Sequence, residues 1–340
     1  MRGIVFRGDC TLELATVPDP TPAAGEVVVE IKASGMCGSD LHFYRRPRSS
    51  PPPPVIAGHE PCGVVVAVGP GAIGPHARIG ARVMVHHYSG CMGCADCRSG
   101  WPQMCRTSPI TVYGTDAHGA HAPYMKVTAD TLVPLDERLS FEAGAAISCG
   151  TGTAWGAFER IGLTGRDTVA VFGQGPVGLS ATLLAKAQGA RVIALDIDES
   201  RRNTAKAFGA DAVIDPRDGR VADAVREITR GKGASVALET SGAAAANQDA
   251  LDSVGPWGTV CLVGIGSEFS FSLAKYLRSQ LRILTSWTMS IQGQRACADF
   301  VVQQGIDLDA LFTDRWRLDQ AQEAYQAFNR QSGGKGVFLM

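Results

Sequence analysis

The chain carries almost no excess charge. It has 32 basic against 33 acidic residues, a net charge of -1 over 340 residues, and no dense block of Lys and Arg. That lack excludes the electrostatic footprint of a nucleic-acid binder or of a protein held on an anionic membrane. The opening MRGIVFRGDC has no signal-peptide pattern, so a cytoplasmic, reducing location is the expectation. The ten cysteines are then not expected to form a disulfide framework. No repeat of solenoid period occurs. One stretch, Thr168 to Ala185, contains no charge and reaches the crude length of a membrane span. Gly173, Gly175, Pro176 and Gly178 near its middle argue instead for a strand, a tight turn and a helix.

What is present is a globular composition rich in turns, with 45% hydrophobic residues and 40 glycines, in a chain long enough for two domains. Through about residue 140 the pattern is β-rich and irregular, with runs at Val27 to Ile31, Val64 to Val68 and Arg82 to Val85. Pro51 to Pro54 reads as a stiff surface connector. From Thr168 the rhythm becomes alternating strand and helix, the signature of a parallel sheet covered on both faces. Helices are expected over Leu179 to Gln188, Glu199 to Phe208 and Val221 to Thr229. After Ser286 the alternation stops. Amphipathic segments Ala296 to Gln304 and Leu318 to Asn329 then precede a strand-like GVFLM. The fold class is α/β.

Two motifs carry chemistry on their own. Cys91, Cys94, Cys97 and Cys105, within GCMGCADCRSGWPQMC, have the short spacers of a closed tetrahedral zinc site, which holds structure and leaves no open position. Gly173, Gly175 and Gly178, with Pro176 and Val177 between them, match G-x-G-x-x-G after the strand TVAVF and at the start of a helix. There the glycines permit the turn, the approach of a pyrophosphate and close helix packing. Asp196 closes the next strand, where a carboxylate receives hydrogen bonds from a ribose diol and opposes a 2′-phosphate, so NAD is expected over NADP. Arg201 and Arg202 follow, either as phosphate partners or as helix-surface arginines near the ribose.

Three further segments contain good zinc ligands: CGSDLH from Cys37 to His42, Gly58-His59-Glu60, and Ser148-Cys149-Gly150. An open zinc site uses three protein ligands and keeps a fourth position for water or substrate. Sequence distance alone does not join these segments. Taken with the four-cysteine lobe, the glycine motif and Asp196, in that order along nearly all of the chain, they resemble the zinc-dependent medium-chain dehydrogenases of the alcohol, polyol and threonine dehydrogenase kind. The resemblance implies a GroES-like β-rich catalytic domain over residues 1–149 and 287–340, with a structural zinc lobe at about 88–106. A Rossmann domain over 150–286 would be inserted between the two parts.

Carried over by residue, the resemblance implies two zinc ions per chain and NAD. Cys37, His59 and Cys149 would hold the catalytic zinc, with Glu60 approaching it directly or through water. Ser39 would begin a proton relay from the alcohol that His42 finishes, and Asp40 would orient His59. Thr153, Val177 and Val263 would lie near the nicotinamide. The CGSDLHFY loop is similar to that of polyol and threonine dehydrogenases, whereas SCGTGTAWG is similar to that of alcohol dehydrogenases. His86, His87 and the Phe43-Tyr44 pair suggest a polar, polyol-like primary or secondary alcohol. The alternative is an apolar pocket lined by Trp101, Trp155 or Trp287.

Cys10, Cys62, Cys261 and Cys297 are expected as small core residues, and His76, His118 and His121 as loop or surface histidines. The expected partner is a small alcohol or carbonyl compound, and the expected assembly is a homodimer or homotetramer. Two rivals are an NADPH-dependent zinc aldehyde or ketone reductase and a non-catalytic zinc-binding regulatory protein on the same fold.

Overall fold

A computed structural model describes residues 1–331 and 333–340 of the chain. These residues separate into two compact units. One comprises Met1–Gly152 with Met289–Gln331 and Lys335–Met340, and the other is centred on Thr153–Thr288.

The first unit is built on a sheet of seven strands ordered Phe312–Trp316, Lys335–Leu339, Glu26–Gly35, Pro61–Val68, Arg82–Val85 and Leu132–Pro134, with Tyr124–Thr128 also paired to Glu26–Gly35. The β-branched runs seen in the sequence supply its core, where Val27, Val29, Ile31, Val65, Val83 and Val85 are buried. The last strand closes the sheet from the other end of the chain, pairing antiparallel through Val337 with Gly35 and Leu339 with Ala33. A second core beneath it gathers Ile4, Phe6, Met36, Leu41, Tyr44, Tyr325 and Phe338. This core packs the short helix Asp40–Tyr44 and the late helix Ala321–Asn329 onto the same sheet.

The second unit is a six-stranded parallel sheet. Its order is Ala212–Ile214, Arg191–Leu195, Thr168–Phe172, Ala234–Glu239, Val254–Leu262, Arg282–Thr285. In local sequence order this is 3-2-1-4-5-6, the doubly wound dinucleotide-binding arrangement. The charge-free stretch is the strand Thr168–Phe172 followed by the helix Pro176–Ala187. No helix among the described residues is long and apolar enough to cross a membrane.

Some elements differ from the pattern reading. The expected Ala296 to Gln304 helix begins at Ile291, because the Ser290 side chain accepts a hydrogen bond from Gly293 N and caps it. The Leu318 segment opens as a 3-10 turn before the helix Ala321–Asn329. Among the histidines expected on loops or the surface, His118 is exposed and His76 half-buried. His121 is a correction, being fully buried beneath the strands and the late helix. Cys62, Cys261 and Cys297 are buried as expected, and Cys10 is half-buried.

Candidate functional site

Each predicted metal-binding segment is placed by a specific local feature. The strand Glu26–Gly35 ends two residues before Cys37, and Cys37 N donates to Asp40 Oδ2 at 2.9 Å, closing the turn that starts the helix Asp40–Tyr44. His59 and Glu60 lie just ahead of the strand Pro61–Val68. Gly58 makes their entry possible, with φ +94° and a missing Cβ that would come within 2.5 Å of His121 Nδ1. Cys149 sits between the helices Phe141–Ile147 and Gly150–Ile161, and the neighbouring Ser148 hydroxyl donates to Pro61 O at 2.8 Å.

The outcome is convergence. One donor atom from each of Cys37, His59, Glu60 and Cys149 lies within 4.8 Å of the others. The Cys149 and Cys37 sulfurs lie 3.9 Å apart, within hydrogen-bonding reach. This bond, with the His59 ring, holds Cys37 well below the usual thiol range against the opposing effect of burial. The Ser39 hydroxyl donates to Cys37 Sγ at 3.2 Å and lies 3.2 Å from His59 Nε2. Asp40 Oδ1 is 3.1 Å from His59 Nδ1. Burial opposes the Asp40 charge, but the His59 ring outweighs it and holds the carboxyl at about 2. His42 is exposed on the same short helix.

Glu60 is fully buried. Its Oε2 pairs with Lys335 Nζ, which also donates to Met36 O at 3.2 Å. Its Oε1 has no hydrogen-bond partner among the described residues. Burial drives the Glu60 carboxyl upward while the Lys335 ammonium pulls it back. An orphaned buried carboxylate oxygen beside two thiols and an imidazole is a donor set that zinc satisfies.

The second cluster is the four thiols of Cys91, Cys94, Cys97 and Cys105, also within 4.8 Å of one another. The N–H groups of Gly93 and Cys94 donate to Cys91 Sγ at 3.4 and 3.2 Å, and Thr107 Oγ1 donates to it at 2.9 Å. These donors lower the Cys91 thiol, with Thr107 contributing most. The donors pre-arrange a thiolate knuckle that fits a closed zinc site.

In the second unit, Gly173 has φ +85°, and a Cβ on Gly178 would strike the Gly173 carbonyl. A Cβ on Gly175 would meet nothing, so the backbone there faces open space at the N-cap of the helix Pro176–Ala187. That is the cradle a pyrophosphate needs. Asp196 is 7% exposed, and its two oxygens receive Gln174 N at 2.6 Å and Asp198 N at 2.8 Å. Arg201 Nη1 lies 3.9 Å from Asp196, and its Nε donates to Gly333 O. Arg202 is engaged by Asp215 and the Asp196 carbonyl. Val263 N donates to Glu239 O, and Thr153 is buried in its helix.

Two residues offered for a polar pocket are corrected. The Tyr44 hydroxyl accepts from Gln322 within the aromatic core, and His86 is buried between Gln103 and Gln294. His87 remains, its ring centroid 5.1 Å from that of His59. The pattern reading missed Lys335, Ser34 and Tyr325. No spacing signals them, because each reaches the site only through packing of distant strands and the late helix.

Fold and donor sets define a zinc-binding dehydrogenase with a dinucleotide domain. Comparisons agree: residues 23–137 match the alcohol dehydrogenase GroES-like domain and residues 176–303 match the zinc-binding dehydrogenase domain. The chain is 37% identical to the uncharacterized zinc-type alcohol dehydrogenase-like protein YphC of Escherichia coli, covering 97% of this chain and 96% of that one. It is 32% identical to the L-threonine 3-dehydrogenase of Pyrococcus furiosus, with 96% and 95% covered. The solved structure of an E. coli CFT073 alcohol dehydrogenase, complexed with NADH, superposes with a TM-score of 0.89 at 27% identity, covering 100% and 99%. The chain belongs to the zinc-dependent medium-chain dehydrogenase family.

Proposed function

We propose that the chain is an NAD-dependent alcohol dehydrogenase carrying two zinc ions, one catalytic and one structural. The observation that carries this reading is the convergence of Cys37, His59 and Cys149 with the orphaned Glu60 oxygen in the same β unit as the four-thiol knuckle. Bound at the first set, zinc supplies a Lewis acid for the oxygen of an alcohol or carbonyl. Ser39 Oγ takes the alcohol proton and passes its own toward the exposed His42; a nicotinamide held by the glycine turn would supply the hydride acceptor. Asp196 selects NAD by accepting from the ribose diol, and Arg202 is unavailable to a 2′-phosphate because Asp215 engages it.

We further propose a polar substrate. His87 Nδ1 lies 3.1 Å from the Ser148 carbonyl and donates to it, which leaves Nε2 as an acceptor. Burial, more than the neighbouring His59 and His86, holds this ring well below the usual histidine range and therefore neutral. A second substrate hydroxyl is the donor such a group takes. Specificity constants for matched vicinal diols and simple alcohols, followed at the NADH absorbance band, test both parts. No NADH formation with any alcohol contradicts the activity. A preference for simple apolar alcohols that His87→Phe leaves unchanged contradicts the substrate class.

A further inference from the structure

We propose that Ser34, His121 and Tyr325 form a buried one-way hydrogen-bond chain that positions the metal centre by fixing Asp40 and, through it, the ring of His59. The inference rests on reading Cys37, His59 and Cys149 as a zinc site. Ser34 Oγ lies 2.7 Å from His121 Nδ1, and His121 Nε2 lies 2.7 Å from the Tyr325 hydroxyl. Tyr325 in turn donates to Asp40 Oδ2 at 3.1 Å, while Asp40 Oδ1 faces His59 Nδ1 at 3.1 Å. Ser34, His121 and Tyr325 are 0% exposed and Asp40 is 3% exposed. Every proton in the chain therefore needs a protein partner.

The direction follows by elimination. The Asp40 carboxylate only accepts, and Tyr325 has one proton to give, so that proton goes to Asp40. The tyrosine oxygen then accepts from His121 Nε2–H. A neutral imidazole has a single N–H, so Nδ1 must accept, and Ser34 donates to it. Burial favours that neutral ring, pushing His121 down to about 4. At the far end Asp40 takes the Nδ1 proton of His59, which directs Nε2 to the thiol cluster. The four segments that carry the chain are strand Glu26–Gly35, the loop at residue 121, the helix Ala321–Asn329 and the helix Asp40–Tyr44. Ser34, His121 and Tyr325 are positioning residues, since none lies among the four donors at the cluster.

Tyr325→Phe is the test, because the ring stays packed on Phe6, Tyr44 and Phe338 and only the hydroxyl is lost. In the zinc-loaded enzyme, release of the chelator-labile zinc should quicken about ten-fold, the lower end of what loss of an outer-shell partner costs. Release from the four-thiol site should not change. His121→Gln, whose amide can still donate near the Nε2 position, should release zinc within about two-fold of wild type, whereas His121→Asn should match Tyr325→Phe. Nitrogen-15 spectra of the ring should show His121 protonated at Nε2 and bare at Nδ1. Unchanged zinc release in Tyr325→Phe, equal behaviour of the Gln and Asn variants, or an Nδ1-protonated His121 would overturn the proposal. Failure of the metal reading would look different: no zinc would be lost on Cys37→Ser, and the ring tautomers of the metal-free chain would then decide the network.

Discussion

Asp196→Asn tests the cofactor assignment by removing a charge while keeping the side-chain shape. A phosphate brought within about 4 Å of the Asp196 carboxylate meets a repulsion of about 4 kcal/mol at an effective dielectric near 20. At about 1.4 kcal/mol per decade this is close to a thousand-fold in kcat/KM. Arg201, 3.9 Å away, offsets part of it. The expected wild-type preference for NAD over NADP is therefore about 100- to 1000-fold. In the variant one side-chain oxygen becomes an amide donor, so the ribose loses a charge-assisted acceptor worth about 1.5 to 3 kcal/mol. One of the two backbone N–H groups now held at 2.6 and 2.8 Å loses its partner as well. NAD efficiency should fall at least about ten-fold and NADP efficiency rise about 100-fold. Initial rates at saturating alcohol with each cofactor varied give both numbers. Equal wild-type efficiency with the two cofactors, or a variant that keeps the wild-type ratio, would refute the reasoning.

Lys335→Met leaves the Glu60 carboxyl, already driven upward by burial, without its ammonium partner where neither side chain is more than 1% exposed, and should cost about 3 to 5 kcal/mol in urea unfolding at alkaline pH, where the carboxylate charge persists, and less near neutrality, where the acid takes up a proton. Adding Glu60→Gln should restore most of that loss, and no recovery would contradict the pairing. Ser39→Ala should lower turnover about 100-fold or more with little change in NAD binding, while His42→Ala should lose less and recover in part with an added buffer base; unchanged turnover in Ser39→Ala would eliminate the relay. Asp40 is held at about 2 in the folded metal-free chain, below an unfolded value of about 3.9. Its contribution of about 2 to 3 kcal/mol is present above pH ~4 and lost as the pH falls through about 2. Acid unfolding of metal-free Asp40→Asn, followed by circular dichroism, should lack that component.

Much of this was legible in the sequence because periodicity and spacing are local signals. The strand and helix alternation after Thr168 corresponds to a six-stranded parallel sheet, with the glycine turn at the head of the helix Pro176–Ala187. The resemblance joined Cys37, His59, Glu60 and Cys149, which the folded chain brings together. Legibility ended where a side chain's direction depends on tertiary packing. Tyr44 follows the His42 loop but turns into a core with Phe6 and Tyr325. His121 has no apolar run to announce burial and is enclosed because Gly58 leaves room for its ring. Lys335 stands in a Gly-rich segment that reads as surface, yet the pairing of Lys335–Leu339 with Glu26–Gly35 carries its ammonium to Glu60. Buried charges of this kind oppose the usual hydrophobic pattern and so leave no periodic trace.

The most direct measurement of the central claim is zinc content and turnover followed together during stepwise chelation of the purified protein. Two zinc ions per chain are expected. Activity should disappear with the first while secondary structure is retained, and the fold should weaken only when the four-thiol ion leaves. Active protein holding one zinc or none, or turnover that survives loss of the labile ion, would contradict it.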